Sequence, residues 1–156
     1  MKIADFGCGN GHYAAAAGIL VGSSGEVFAL DILEEALSQT AALARLSGAH
    51  NVSTRQCNLE KFGGCNLPET SCDLVIASGI LHQTENRDNV LKEAYRVLKT
   101  GGRILVVEWQ KNSPFGPVVA DRLDVISARQ LLEKQGFRPG FDLPAGSFHY
   151  ALLYTK

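Results

Sequence analysis

The sequence predicts an α/β fold: a doubly wound, seven-stranded sheet, mostly parallel, with helices on both faces and an antiparallel C-terminal strand. Three observations carry that expectation. Short apolar runs alternate with helix-period segments along most of the chain. Glycines punctuate the changes from one to the other. The last two strand-like runs flank the turn PAGS, residues 144–147, which leaves no room for a crossover helix between them.

Lys2–Phe6 reads as a short strand and His12–Leu20 as an alanine-rich helix closed by Gly22. Val27–Asp31 (VFALD) is a second strand. Glu34–Leu46 is a helix with two acids in its first turn, where the helix dipole favours them, and with Gly48 just past its end. Val52–Cys57 and Asp73–Ala77 (DLVIA) are the third and fourth strands. Asn86–Leu98 is the most amphipathic segment: Val90, Leu91, Ala94, Tyr95 and Leu98 share a face, and Gly101-Gly102 is the expected stop. Arg103–Glu108 (RILVVE) is the fifth strand, and 110–117 is a loop bearing proline and glycine. Ser127–Gln135 is a helix with Ser127 as its expected N-cap, ended by Gly136. Phe137–Leu143 and His149–Tyr154 complete the sheet. The expected order is β-α-β-α-β-α-β-α-β-α-β-β, and ligands in such sheets bind outside the carboxyl ends of the strands.

The 156 residues suit one domain with a real core. A formal net charge of -1, with lysines and arginines scattered, argues against nucleic acid as a partner. The sequence shows neither a signal peptide nor an apolar run of membrane-spanning length, so a cytoplasmic protein is expected. Cys8, Cys57, Cys65 and Cys72 form no C-x-x-C pair, and no metal site is expected from them.

The chemistry concentrates in DFGCGNG, residues 5–11. Gly7, Gly9 and Gly11 follow the first strand and open the first helix, where the absence of side chains permits a tight turn and close approach of a ligand. Asp31 ends the second strand 20 residues beyond Gly11, where an acid can accept both hydroxyls of a ribose. The dinucleotide pattern G-x-G-x-x-G would need glycine at position 12, which is His12. That argues against a nicotinamide oxidoreductase. The spacing is instead D-x-G-x-G-x-G, with Asp5 at the strand end. A carboxylate there repels a pyrophosphate and favours a ligand carrying an ammonium and a sulfonium.

DFGCGNG, ALDI (29–32) and the block 72–109 resemble the class I S-adenosylmethionine-dependent methyltransferases, most closely the ubiquinone/menaquinone-biosynthesis and arsenite methyltransferase group. The resemblance implies a Rossmann-like three-layer sandwich and S-adenosyl-L-methionine as cofactor, with S-adenosyl-L-homocysteine as product. It implies in-line methyl transfer to a small or medium-sized acceptor. It places Gly7, Gly9 and Gly11, with Cys8 in their loop, along the methionyl part, and Asp5 near the amino group or sulfonium. Asp31 takes the ribose, Ile32 packs on the adenine, Asn58 and Leu59 hold its edge, and Ser78 contributes backbone contacts. His12 either touches the methionyl carboxylate or lies on the helix surface. Residues 1–156 are expected to be a single domain lacking the usual N-terminal lid helices. The acceptor site is then open, completed by another chain (a second copy or a partner), or lost to truncation. The alternative is a non-catalytic cofactor-binding module or partner subunit.

His82, in SGILHQ after the fourth strand, is a candidate general base; wall of the acceptor pocket and structural histidine are the other readings. Glu108 and Trp109, ending the fifth strand, are candidates for binding and walling the acceptor, with Trp109 equally suited to covering the core edge. His149 and Tyr150 follow the hairpin turn; alternation of faces makes one of the two a packing residue. Lys111–Pro117 is either a flap over the acceptor or an ordered connection.

Overall fold

A computed structural model describes all 156 residues. Seven strands form: β1 (Lys2–Phe6), β2 (Glu26–Asp31), β3 (Val52–Gln56), β4 (Cys72–Ser78), β5 (Leu98–Trp109), β6 (Arg138–Leu143) and β7 (His149–Thr155). They make one sheet in the order β3-β2-β1-β4-β5-β7-β6. β1 to β5 pair in parallel, and β7 runs antiparallel to both its neighbours, as the hairpin requires. Strand order reverses between β1 and β4, so a crevice opens at their carboxyl ends.

Four helices flank the sheet: α1 (His12–Val21), α2 (Glu34–Leu46), α3 (Arg87–Val97) and α4 (Val125–Lys134). Alternating side chains divide the core. Ile3, Val27, Ala29 and Ile76 face Ala14 and Ala17 of α1 and Leu37 of α2. Phe6, Leu30, Val75, Ile104, Val106 and Leu152 face Leu91 and Ala94 of α3 and Leu132 of α4. None of the helices is long and apolar enough to cross a membrane.

Three expectations are corrected. The fifth helix, between β3 and β4, does not form; 57–71 is a run of turns. Buried Glu93 of α3 holds that run from below. Its carboxylate accepts from the Gly63 amide at 2.7 Å, the Cys65 amide at 3.2 Å and the Cys65 thiol at 2.7 Å. Arg96 pairs with it at 2.9 and 2.7 Å and also donates to the Leu67 carbonyl at 2.9 Å. Burial pushes the Glu93 carboxyl up, but Arg96, the thiol and the two amides outweigh it and hold the group down to about 2. The second correction concerns the glycine pair. α3 ends at Val97, and Leu98, at ψ 137°, turns straight into β5. Gly101, at φ +77°, and Gly102 lie inside that strand, beside a register shift between Cys72 and Leu74 of β4. Third, the α4 cap is Asp124, which accepts from the Ser127 amide at 2.9 Å and its hydroxyl at 2.7 Å.

Candidate functional site

The crevice is a cleft of about 400 Å³ over the ends of the first strands. Gly7, Gly9, Asp31, Ile32, Asn58 and Leu59, all expected site residues, line it. Gly7 and Gly9 have φ of +69° and +51°, a region that glycine enters without strain. A Cβ on Gly7 would come within 2.7 Å of Ile80 Cδ1. Around Gly9 there is open space, so nothing but a ligand competes for it. The turn is stitched to the neighbouring strand, with the Gly7 and Cys8 amides donating to the Leu30 carbonyl at 2.8 and 3.0 Å.

Asp31 joins the turn to the second wall. One carboxylate oxygen accepts from the Gly9 amide and the other from the Leu33 amide, both at 3.0 Å. Each oxygen keeps a further lone pair for a ligand hydroxyl. Asn58 Oδ1 accepts from the Glu60 amide at 2.9 Å, which closes a short turn and leaves one lone pair. Glu60 in turn accepts from the Asn86 amide at 2.6 Å and the Asn89 side chain at 2.8 Å, tying this wall to the start of α3.

Asp5, in β1 just before the turn, is 2% exposed and does not line the cleft. Its Oδ2 has no hydrogen-bond partner. Burial pushes its carboxyl up to about 7, against the pull of the Ala14 amide and with help from the negative charge of Asp31.

Several expected residues are not in the cleft. Cys8 points under the turn toward α2, where its sulfur accepts from the Thr40 hydroxyl at 3.4 Å. Burial raises that thiol to about 11, so it is a filler. Gly11 is buried, and a Cβ there would meet Thr40 Cα at 2.7 Å; it lets α1 and α2 approach. His12 is exposed on the first turn of α1. Ser78 lines a second cavity, of about 530 Å³, with Tyr13, Val107 and His149.

The acceptor-side candidates separate. Glu108 is fully buried and hydrogen-bonded to His82, so it does not face an acceptor as expected. Its neighbour Trp109 points to the opposite face, stacked on His149 with centroids 4.1 Å apart. Tyr150 is the packing member of its pair: it is buried, and its hydroxyl donates to the Leu123 carbonyl at 2.9 Å. The loop 110–117 is an ordered connection. The Arg122 guanidinium donates to the carbonyls of Gln110, Lys111, Ser113, Phe115 and Pro117, all within 3.0 Å.

Asn10, Glu35, Gln39, Gln83 and Thr84 also line the cleft and were not anticipated. Glu35 and Gln39 lie one turn apart on α2, just after Asp31, and the i, i+4 spacing was the available signal. The 16 lining residues include three carboxylates, Asp31, Glu35 and Glu60, and no lysine, arginine or histidine.

A family model described as a methyltransferase domain matches residues 1–135. The chain is 32% identical over 125 residues to the arsenite methyltransferase of Aquipseudomonas alcaligenes, covering 78% of this chain and 34% of that protein. It is 37% identical over 111 residues to the ubiquinone/menaquinone biosynthesis C-methyltransferase of Pasteurella multocida, covering 70% of this chain and 40% of that one. The chain thus spans well under half the length of these curated relatives. A crystal structure of a SAM-dependent methyltransferase from Aquifex aeolicus superposes with a TM-score of 0.90 at 24% identity, over 99% of this chain and 81% of that one. That likeness establishes the Rossmann-like fold.

Proposed function

Given that the chain belongs to the methyltransferase-domain family, we propose that it binds S-adenosylmethionine in the cleft and passes the methyl group to a small or medium-sized acceptor. The observation that carries this reading is the charge of the cleft: three carboxylates and no basic side chain among its lining residues. A pyrophosphate-bearing dinucleotide would meet only like charge from the ionisable side chains there. A zwitterionic, sulfonium-bearing nucleoside is complementary to it. Asp5 does not itself line the cleft, but its buried, unpartnered carboxyl oxygen, one residue before Phe6 and the glycine turn, adds no positive charge that would favour a pyrophosphate.

On this reading Gly7 and Gly9 admit the methionyl part, Asp31 takes the ribose hydroxyls, and Ile32, Asn58 and Leu59 hold the adenine. Ile32, 56% exposed, offers the apolar surface for one ring face. The anchoring of Asp31 by two backbone amides holds its carboxylate ready for the ribose before ligand arrives. When bound, the cofactor supplies a methyl group on a sulfonium centre, whose bond pair leaves with the sulfur. The protein's part is to position the acceptor in line and exclude water.

Isothermal titration with S-adenosylmethionine and S-adenosylhomocysteine tests the reading, repeated with Asp31→Ala. Micromolar binding that is lost in the variant is expected. A folded wild-type chain that binds neither ligand would refute it.

A further inference from the structure

The fold buries a carboxylate at the end of β5 that binds nothing but the loop after β4. Glu108 is 0% exposed. Its Oε1 accepts from the amides of Leu81 at 2.7 Å and His82 at 3.3 Å, and its Oε2 lies 2.7 Å from His82 Nδ1. Arg87 holds the other side of the same residues, donating to the carbonyls of Leu81 at 2.6 Å and His82 at 3.5 Å. His82 is therefore gripped by its amide, its carbonyl and one ring nitrogen. A carboxylate only accepts, so Nδ1 carries a proton; in the neutral ring this leaves Nε2 with its lone pair.

Nε2 has no hydrogen-bond partner in the chain. The ring lines a depression of about 450 Å³ with Gln83, Thr84, Glu85, Pro117 and Asp121. Gln83 and Thr84 also line the cleft, so the two spaces adjoin. All of its lining residues but Pro117 are polar, unlike the mostly apolar cavity beside His149 on the opposite face of the sheet.

We propose that Glu108 is a positioning residue that fixes His82 in the Nδ1–H tautomer, so that Nε2 accepts the proton of a polar acceptor bound in this depression. The proposal rests on the methyl-transfer reading above and names its substrate class: an acceptor whose nucleophilic oxygen, sulfur or nitrogen bears a hydrogen. The bond from that atom to hydrogen breaks, and the proton passes to Nε2. The electron pair stays on the acceptor atom, where the methyl group is received. His82 then returns the proton to water.

Glu108→Gln is the informative variant. Its one oxygen must still serve the Leu81 and His82 amides, which leaves the NH₂ group facing Nδ1. Nδ1 then has to accept, and the proton moves to Nε2, the tautomer that disables such dyads elsewhere. Nitrogen NMR on histidine-labelled protein reads the tautomer directly. Diethyl pyrocarbonate labelling, mapped by mass spectrometry, reads the nucleophilicity of Nε2, with exposed His12 and His50 as internal references. The wild type should show Nδ1–H and labelling of His82; in Glu108→Gln the proton sits on Nε2 and labelling of His82 falls at least about tenfold, with S-adenosylhomocysteine affinity unchanged. A wild-type proton on Nε2, or the same tautomer in both proteins, overturns the proposal. Should the variant not fold, the wild-type tautomer and its His82 labelling decide alone. Failure of the wild type to bind S-adenosylhomocysteine would instead sink the methyl-transfer reading and leave the tautomer result standing.

Discussion

Replacing Asp5 by asparagine should make the protein more stable and a poorer binder of a sulfonium, and the stability gain should depend on pH. The carboxyl is 2% exposed, one oxygen is unpartnered, and burial lifts it from 3.8 to about 7. Between those values the folded chain holds a proton that the unfolded chain has released. Stability from this group is therefore complete below pH 3.8 and is lost as pH rises through about 7. A displacement of about three pH units corresponds to about 4 kcal/mol. Asparagine is nearly isosteric, never ionises, and can still accept from the Ala14 amide. The two proteins should thus unfold alike near pH 4, and by about pH 8 the variant should be ahead by about 4 kcal/mol, or about 10 °C in a chain of this length. Urea denaturation of both proteins across that range is the assay. Other titrating groups are common to both and cancel in the difference. A constant difference across the range would refute the reasoning, as would a variant less stable at the alkaline end. In the same variant, S-adenosylmethionine should lose more affinity than S-adenosylhomocysteine, because only the former carries the sulfonium.

The glycines of the turn should divide by function. Gly9→Ala meets open space, so it should cost only about 1–2 kcal/mol of backbone strain while weakening S-adenosylmethionine binding by filling the cleft. Gly11→Ala, with a Cβ 2.7 Å from Thr40 Cα at φ +82°, should cost more stability than Gly9→Ala; urea denaturation and titration calorimetry together would expose a reversed order. Glu93→Gln should destabilise the chain by about 1–3 kcal/mol at neutral pH, because it weakens the hydrogen bonds from Gly63 and Cys65 and leaves half-buried Arg96 without its counter-charge. The wild-type advantage should shrink as pH falls from 4.5 toward about 2, since Glu93 is held down in the folded state; equal unfolding midpoints at neutral pH would refute the assignment.

Most of the sheet was legible because β1, β2, β4, β5 and β7 carry apolar runs with a glycine or turn residue close by, and those signals are local; the edge strands β3 (VSTRQ) and β6 (RPGFDL) are polar and mostly exposed. Gly7, Gly9, Asp31, Ile32, Asn58 and Leu59 were legible for a related reason: each lies just beyond the end of a strand, where this topology gathers ligand contacts. What escaped was non-local. Glu108 reads as a strand-end acid facing outward until the fold brings the Leu81 amide, 27 residues away, within 2.7 Å of it. The helix expected between β3 and β4 lost to Glu93 of α3, which offers residues 63–65 better partners than a helix would. Asp124 displaced Ser127 as a cap because an acid three residues upstream takes both the Ser127 amide and its hydroxyl. Gly11 lies outside the cleft lining, and only the packing of α1 on α2 shows what its missing side chain makes room for.

Three acids of this chain share one habit, and the departure of a fourth from it is informative. Asp31 accepts from the amides of Gly9 and Leu33, Glu93 from those of Gly63 and Cys65, and Glu108 from those of Leu81 and His82. Each uses a carboxylate to hold a loop whose backbone amides have no strand partner. Asp5 breaks the pattern: it keeps an oxygen buried and unpartnered, near the end of β1 just before the glycine turn. A group that only braced the turn would be better served by a neutral side chain. Retaining a carboxylate there is costly unless something positive comes to rest near it, so the cost of Asp5 in the free protein and the gain on binding a sulfonium are two sides of one linkage.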